Sequence, residues 1–364
     1  MKVLHVLYSG MGGHGSVFFS MVDADKEKML QYEAVFFGIE EVREGYIEKA
    51  NVGNIPWHFV KKKPGLDFSS YRRIGTIIKQ SKPDIIFIHT SSYIFPAIMA
   101  AWSASKKTKI VVRETQPNHL KTKQEWVGLS FSLLAASKVV FLSTEYSDAI
   151  KKRLSLFFSN KRTAVIPNGI DLDTYKPDRK KENEIIKIGM QSRLSGTKDH
   201  ATLLKAFALC LKKMPKENKV HLLIAGDGEC KPALEVLAKE LGIEDKIVFT
   251  GMLEEKDLPE FINSLDIYVH ATLGETMSTA IMQVMACRLP IVASDVLGVN
   301  NMIKHNINGF LVPASDEQKL AEAVLFLLDN PGAATKLADA AFEFAVNNYS
   351  NKLMLKRYKV VFAE

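Results

Sequence analysis

The chain of 364 residues is 47% apolar and 24% charged, enough to bury two sizeable cores but hardly three. Its charge is uneven: residues 1–170 hold 24 Lys and Arg against 14 Asp and Glu, whereas residues 171–364 hold 24 against 27. The basic first half could attract anionic lipid headgroups, an acidic substrate or nucleic acid; it carries no recognition-helix, zinc-finger or RNA-binding signature, which weakens the last, and the apolar residues after its Lys151 cluster favour a membrane surface.

Met1-Lys-Val-Leu-His-Val-Leu-Tyr8 has neither the apolar core nor the cleavage site of a secretory leader, and no stretch reaches the roughly 20 apolar residues of a membrane span. A cytoplasmic protein is expected, able to sit peripherally on the cytoplasmic face of an inner membrane. Cys210, Cys230 and Cys287 are scattered without metal-ligand spacing, so neither a disulfide framework nor a metal site is expected.

In chain order, short β-branched runs alternate with amphipathic stretches. The first half predicts strands at residues 2–8, 34–37, 84–89, 109–113, 138–142 and 163–166. The second half predicts them at residues 185–189, 220–225, 246–250, 266–270, 290–293 and 309–312. Near-continuous apolar strands separated by helices imply parallel sheets covered on both faces, hence an α/β protein of two doubly wound domains. Pro177 and the charged run at residues 178–184 mark the boundary, giving domains over 1–175 and 183–348. Leu353, Leu355, Tyr358 and the residues 360–362 make the last stretch, 349–364, a helix that must pack on something. Lys151-Lys152-Arg153, followed by Leu154, Leu156, Phe157 and Phe158, has the composition of an interfacial helix, and Trp126 and Phe131 give the stretch at 125–131 an aromatic face for a membrane.

Several loops after strands have compositions that suit phosphates and hydroxyls. Ser9-Gly-Met-Gly-Gly13-His-Gly15-Ser16 permits close backbone approach before a helix, although glycine-rich first turns occur without nucleotides. Arg193 and Lys198 stand five positions apart where a helix opens, a planar donor fork and a point charge. Gly226-Asp227-Gly228 reads as a structural tight turn. Glu275-Thr-Met-Ser-Thr279 follows an apolar strand and opens a helix, pairing an acceptor for hydroxyls with backbone N–H groups for anions.

Taken together, the glycine loop, Ile166-Pro-Asn-Gly-Ile-Asp171, Arg193 with Lys198, Gly226-Asp-Gly228, Phe249-Thr-Gly251, the Glu275 segment and Asn308-Gly-Phe-Leu-Val-Pro313 resemble the family 4 glycosyltransferases over nearly the whole chain. These are retaining, group 1 type enzymes of GT-B architecture, with two Rossmann-like domains facing a cleft. The resemblance implies an N-terminal acceptor-binding domain, a C-terminal nucleotide-sugar domain and a last helix that packs back on the first. It makes Arg193 and Lys198 a diphosphate clamp and Glu275 the partner of donor-sugar hydroxyls, the three catalytic candidates. Gly12, Gly13, Gly251, Met252, Thr276, Met277, Ser278, Thr279 and Gln283 become donor contacts. Gln283 stands where the family carries a glutamate that grips ribose, and Arg288 where it carries a glycine.

No histidine falls in register with the family's active-site histidine. His119 or Glu114 could take its place, and His89, a strand-end residue that reads first as structural, is a further acceptor or sugar contact. The implied reaction moves a sugar from a UDP-sugar or GDP-sugar, without cofactor or metal, to a glycan or lipid-linked glycan of O-antigen, lipopolysaccharide or capsule. The alternatives are a catalytically silent GT-B subunit that binds a glycan or stabilises a partner and, further off, a sugar-nucleotide epimerase.

Overall fold

The computed structural model describes residues 1–364 except 11–12, 66, 103–107, 179–184 and 216–218. Gly12, the pair Lys106-Lys107 and most of the charged boundary run lie outside the described residues. The chain forms two compact units: Met1–Asp171 together with Asn351–Glu364, and Leu172–Ser350.

Unit 1 begins β1 (Lys2–Tyr8), α1 (Gly13–Ala24), β2 (Gln31–Gly38), α2 (Glu44–Val52), β3 (Trp57–Lys61) and α3 (Phe68–Ser81). It continues β4 (Ile85–Ile88), α4 (Ile94–Trp102), β5 (Lys109–Arg113), α5 (Lys123–Ala135), β6 (Lys138–Phe141), α6 (Thr144–Arg153) and β7 (Thr163–Val165). Among the described residues the strands form one parallel sheet in the order β3-β2-β1-β4-β5-β6-β7. Val3, Leu4, Ile86, Phe87, Val112 and Val140 are fully buried from both faces, as parallel strands under two helical layers require. The order reverses between β1 and β4, so the switch point lies at their C-terminal ends.

Unit 2 begins β8 (Ile185–Gln191), α7 (His200–Lys213), β9 (Lys219–Ala225), α8 (Lys231–Glu240), β10 (Ile247–Gly251) and α9 (Leu258–Asn263). It continues β11 (Ile267–His270), α10 (Thr279–Ala286), β12 (Ile291–Ser294), β13 (Phe310–Val312), α11 (Glu317–Asp329) and α12 (Pro331–Asn348). Its parallel sheet runs β10-β9-β8-β11-β12-β13, with the reversal between β8 and β11. The last helix, α13 (Asn351–Ala363), belongs to unit 1. It buries Met354, Leu355, Tyr358 and Phe362 among Val3, Val17, Phe87 and Val111, and the Tyr358 ring lies 5.0 Å from that of Phe87.

Two local expectations fail for physical reasons. β3 is an edge strand whose residues are mostly half-buried and interrupted by His58 and Lys61, so no apolar run announces it. The basic cluster at Lys151 does not continue into an interfacial helix. α6 stops at Arg153 and the chain turns, bringing Phe157 and Phe158 against the core and the Phe158 ring parallel to that of Phe141, 6.0 Å away. Of that stretch only Leu156 is left with its large apolar side chain in solvent.

Candidate active site

The switch point of unit 2 joins two loops that the sequence separates by more than 70 residues. After β8 the chain passes through Ser192 to Asp199, where the Asp199 carboxylate caps α7 by accepting the Thr202 N–H at 3.2 Å. After β11 it passes through Ala271 to Ser278, whose hydroxyl caps α10 by accepting the Ile281 N–H at 3.3 Å. The loops are stitched by main chain: Leu273 N–H donates to Thr197 O at 3.0 Å, and Asp199 N–H to Ala271 O at 3.1 Å. Lys198 is thereby carried to Glu275, and its ammonium pairs with Oε1 of that carboxylate, both side chains mostly buried.

The same oxygen meets His270 Nε2 at 2.5 Å, and the Tyr268 hydroxyl lies 3.3 Å from His270 Nδ1. Burial holds the imidazole below its ordinary pKa even against the pull of Glu275. The neutral ring then carries its proton on Nε2, facing the carboxylate, while the Tyr268 hydroxyl beside Nδ1 donates to Gln191 O at 3.2 Å. Burial alone would raise the Glu275 pKa, but His270 and Lys198 outweigh it and hold the carboxyl at about 2. The group is a fixed, ionised acceptor at the mouth of a helix N-terminus.

Glycines set how closely this frame closes. Gly226 adopts φ +140°, and a Cβ there would fall 1.9 Å from Ser192 O, so the Gly-Asp-Gly turn lets the loop of Arg193 lie directly on it. Gly298, at φ +88°, presses on the other loop: a Cβ would stand 2.2 Å from Glu275 O, and the Glu275 N–H donates to Leu297 O at 3.2 Å. Neither Gly298 nor His270 carries a signal in the sequence. An isolated glycine after a strand and a histidine ending one have too many structural uses to stand out.

The remaining predicted residues fall into distinct places. Arg193 is more than half exposed, and its guanidinium is 4.0 Å from Glu229 rather than beside Lys198. Thr276 and Ser278 are buried, while Met277 and Thr279 are half-buried around the start of α10. Gly251 holds φ +72° at the end of β10, and Met252 after it is exposed. Gln283 is buried in α10 with its amide engaged at both ends: it accepts from Gln191 Nε2 at 2.6 Å and donates to the Tyr175 hydroxyl at 2.8 Å.

In unit 1 Gly13 is exposed at the start of α1. His89 and Glu114, expected as possible acceptor or sugar contacts, are both buried at the ends of β4 and β5. His89 Nε2 lies 3.1 Å from His5 Nδ1. The Glu114 carboxylate accepts the Ser91 N–H at 3.3 Å and the Gln116 N–H at 3.1 Å, and pairs with buried Lys121 at 3.3 Å. His119 sits in a single 3-10 turn, Asn118–Leu120, and its side chain lies outside the described residues. His14, which the sequence reading passed over, lies at the switch point instead, half-buried, with Nε2 3.2 Å from Thr115 Oγ1. Burial and then the Arg113 charge lower its pKa to about 3, so it is a neutral imidazole. Among the described residues no group of three or more His, Cys, Asp or Glu is placed to hold a metal ion.

Two doubly wound units, each with polar side chains gathered at its switch point, define an α/β protein of GT-B architecture. HepE of Anabaena, solved in complex with UDP and glucose, shares this fold at a TM-score of 0.83, with 19% identity and complete coverage of both chains. Residues 172–344 match the family Glycosyl transferases group 1, and residues 28–174 match Glycosyltransferase Family 4. Together the two matches cover most of the chain and support a glycosyltransferase of group 1 type. It is 25% identical to the alpha-monoglucosyldiacylglycerol synthase of Streptococcus pneumoniae, over 94% of this chain and 77% of that protein. It is 22% identical to the UDP-Gal:alpha-D-GlcNAc-diphosphoundecaprenol alpha-1,3-galactosyltransferase of Escherichia coli, over 72% of this chain and 71% of that one.

Proposed function

We propose that this glycosyltransferase is a retaining enzyme that moves a sugar from a UDP-sugar to a glycan or lipid-linked glycan acceptor in the synthesis of a surface polysaccharide. The observation that carries the reading is the Lys198–Glu275–His270 constellation at the switch point of unit 2. Its carboxylate stays ionised and can accept hydrogen bonds from sugar hydroxyls. Lys198 and the N–H groups that open α10 give electrophilic help to a departing diphosphate, and Arg193 can swing its exposed side chain from Glu229 to add a second cation. Gly251 and Met252 are assigned to the base and unit 1 to the acceptor. Uridine is preferred over guanosine because HepE was solved with UDP and the Escherichia coli relative is named for UDP-Gal. The lipid-linked acceptor and the α-linked product follow the names of the same relatives. These cations and dipoles supply what Mg²⁺ supplies elsewhere, so transfer is expected to proceed in EDTA.

Thermal shifts of the pure protein with UDP, GDP and ADP in EDTA, beside a Lys198→Ala variant, test this. A ligand that binds the native state raises its apparent stability by mass action. A shift with UDP alone that is absent in Lys198→Ala supports the donor site. No shift with any nucleotide at millimolar concentration would turn the reading to a silent glycan-binding subunit.

A further inference from the structure

The exposed apolar side chains of unit 1 are not scattered evenly. α4, Ile-Phe-Pro-Ala-Ile-Met-Ala-Ala-Trp, has no charged residue at all, and α5 has none after Glu125. α4 turns Phe95 and Met99, one helical turn apart, into solvent, with Met99 63% exposed. α5 exposes Val127, Phe131 and Leu134, spaced along a single face. The two rows meet, since the Phe95 and Phe131 rings are 5.2 Å apart. α5 can lie this close because Gly128 rests against the main chain of Ser91, where a Cβ would stand 3.1 Å from its carbonyl oxygen. The inner faces of both helices are spent on the core through Ile94, Ile98, Leu129 and Leu133, so the outer row is not left over from poor packing.

Basic side chains stand at both ends of this row. At the start of α5, Lys123 is exposed and the Arg153 guanidinium lies 3.9 Å over the Trp126 ring, with Lys151 and Lys152 beside it on α6. Leu156, 93% exposed, follows three residues after Arg153. At the end of α5, Arg162 donates to Leu134 O, and Lys161 next to it is exposed. The acids nearest in sequence are few: Glu125 is held in the capping box of Thr122, Glu114 is buried and Glu145 sits at the start of α6, while exposed Asp148 lies one turn before Lys151 and Lys152 and offsets part of their charge. Monomeric proteins rarely leave contiguous apolar surface of this kind without a use for it, and an acid-free apolar row flanked by cations matches the chemistry of an anionic bilayer surface.

We infer that the α4–α5 face of unit 1, Phe95, Met99, Val127, Phe131 and Leu134 with its Lys and Arg ends, docks on the headgroup layer of an anionic membrane. It does so as a face of the folded unit, not as a separate anchoring helix. The inference deepens the acceptor side of the proposed function but is read without any sugar: vesicle binding can fail while nucleotide binding succeeds, and the reverse.

Flotation of the full chain with vesicles of phosphatidylcholine alone, or with about one phosphatidylglycerol in three lipids, enough to set a negative surface potential, is the test. Binding is expected to the anionic vesicles only and to fall with added salt. Phe131→Glu and Met99→Glu, both exposed and so expected to keep the wild-type melting temperature, should lower partitioning at least about tenfold. Lys151→Gln with Lys152→Gln should weaken it about fivefold for each cation removed. Val52→Glu, at a still more exposed apolar position at the end of α2, should change nothing. Absence of wild-type binding, or binding that Phe131→Glu and Met99→Glu leave intact, overturns the proposal. A wild-type dimer that Phe131→Glu dissociates overturns it too, because the face would then belong to a second copy of the chain.

Discussion

Glu275 draws its fixed charge from two neighbours, Lys198 and His270, and that makes its pH behaviour specific. Its pKa in the folded state is depressed to about 2 from an ordinary 4.5, so its contribution to stability is fully present above about pH 4.5 and is lost as the pH falls toward 2. A depression of this size corresponds to something on the order of 3 kcal/mol. Wild type is therefore expected to lose its advantage over Glu275→Gln progressively across that interval, measured by urea unfolding at successive pH values. An advantage that is constant from pH 5 to 2 would mean that the carboxylate is not held by these partners. Catalysis should divide the two cations unequally. Lys198 is buried against the carboxylate, so Lys198→Ala removes the fixed cation, leaves Glu275 to His270 alone and should cost roughly 10²- to 10³-fold in kcat. Arg193 lies exposed, and Arg193→Ala should cost less and leave the melting temperature unchanged. Equal losses in both would return Arg193 to the same standing as Lys198.

At the scale of elements, much of the site is made by what a loop is allowed to touch. Gly298→Ala would place a methyl group against the Glu275 carbonyl in a backbone region that alanine avoids, so the Glu275 loop must move. A loss of roughly 1–3 kcal/mol and a raised donor KM are expected, read by unfolding and by transfer kinetics on one preparation. Arg288 shows the opposite arrangement. It sits at φ +59° just after α10, a conformation glycine takes without strain, and its side chain pairs with Asp339 of α12. Arg288→Ala keeps the strained backbone and loses the partner, whereas Arg288→Gly relieves the strain as it loses the partner. Arg288→Gly should therefore have the higher urea midpoint of the two; the reverse order would assign the stability to the pair alone. The alternation of apolar runs with amphipathic stretches makes the strands of both sheets legible in the sequence, apart from β3 with its half-buried edge. Lys198 and Glu275 can each be read as the end of a strand. Their contact cannot, because it depends on β8 and β11 being neighbours. The burial of His89 and Glu114 escapes a linear reading for the same reason, since the residues that partner them come from β1, the turn before α5, and α6.

At the scale of the whole molecule, the order of the chain differs from the order of its cores. Unit 1 is written first but is finished last, since α13 supplies Tyr358 and Phe362, both almost wholly buried against Phe87 and Val111. The apolar residues of the last stretch say that it must pack, yet not where, because a helix's own pattern does not name its partner. The join is specific as well as apolar. Asn351 N–H donates to Ile170 O at 2.9 Å, and Gly169 leaves so little room that a Cβ would stand 2.7 Å from the Asn351 Cα. A nascent chain must therefore complete all of unit 2 before unit 1 can cover the face of β1, β4 and β5 that α13 occupies, and until then that face is open to misassembly. Removing residues 351–364 should accordingly unfold or aggregate unit 1 although nothing at its own N-terminal end has changed. Phe362→Ala, a milder change, should cost about 3–5 kcal/mol in the unfolding of that unit. Unit 2 keeps its complete core without α13, so the transition assigned to it, followed by its response to UDP, is expected to stay in place in Phe362→Ala while the transition of unit 1 moves down. If the two transitions shift together, the units unfold as one cooperative body and α13 holds more than the domain it is packed in.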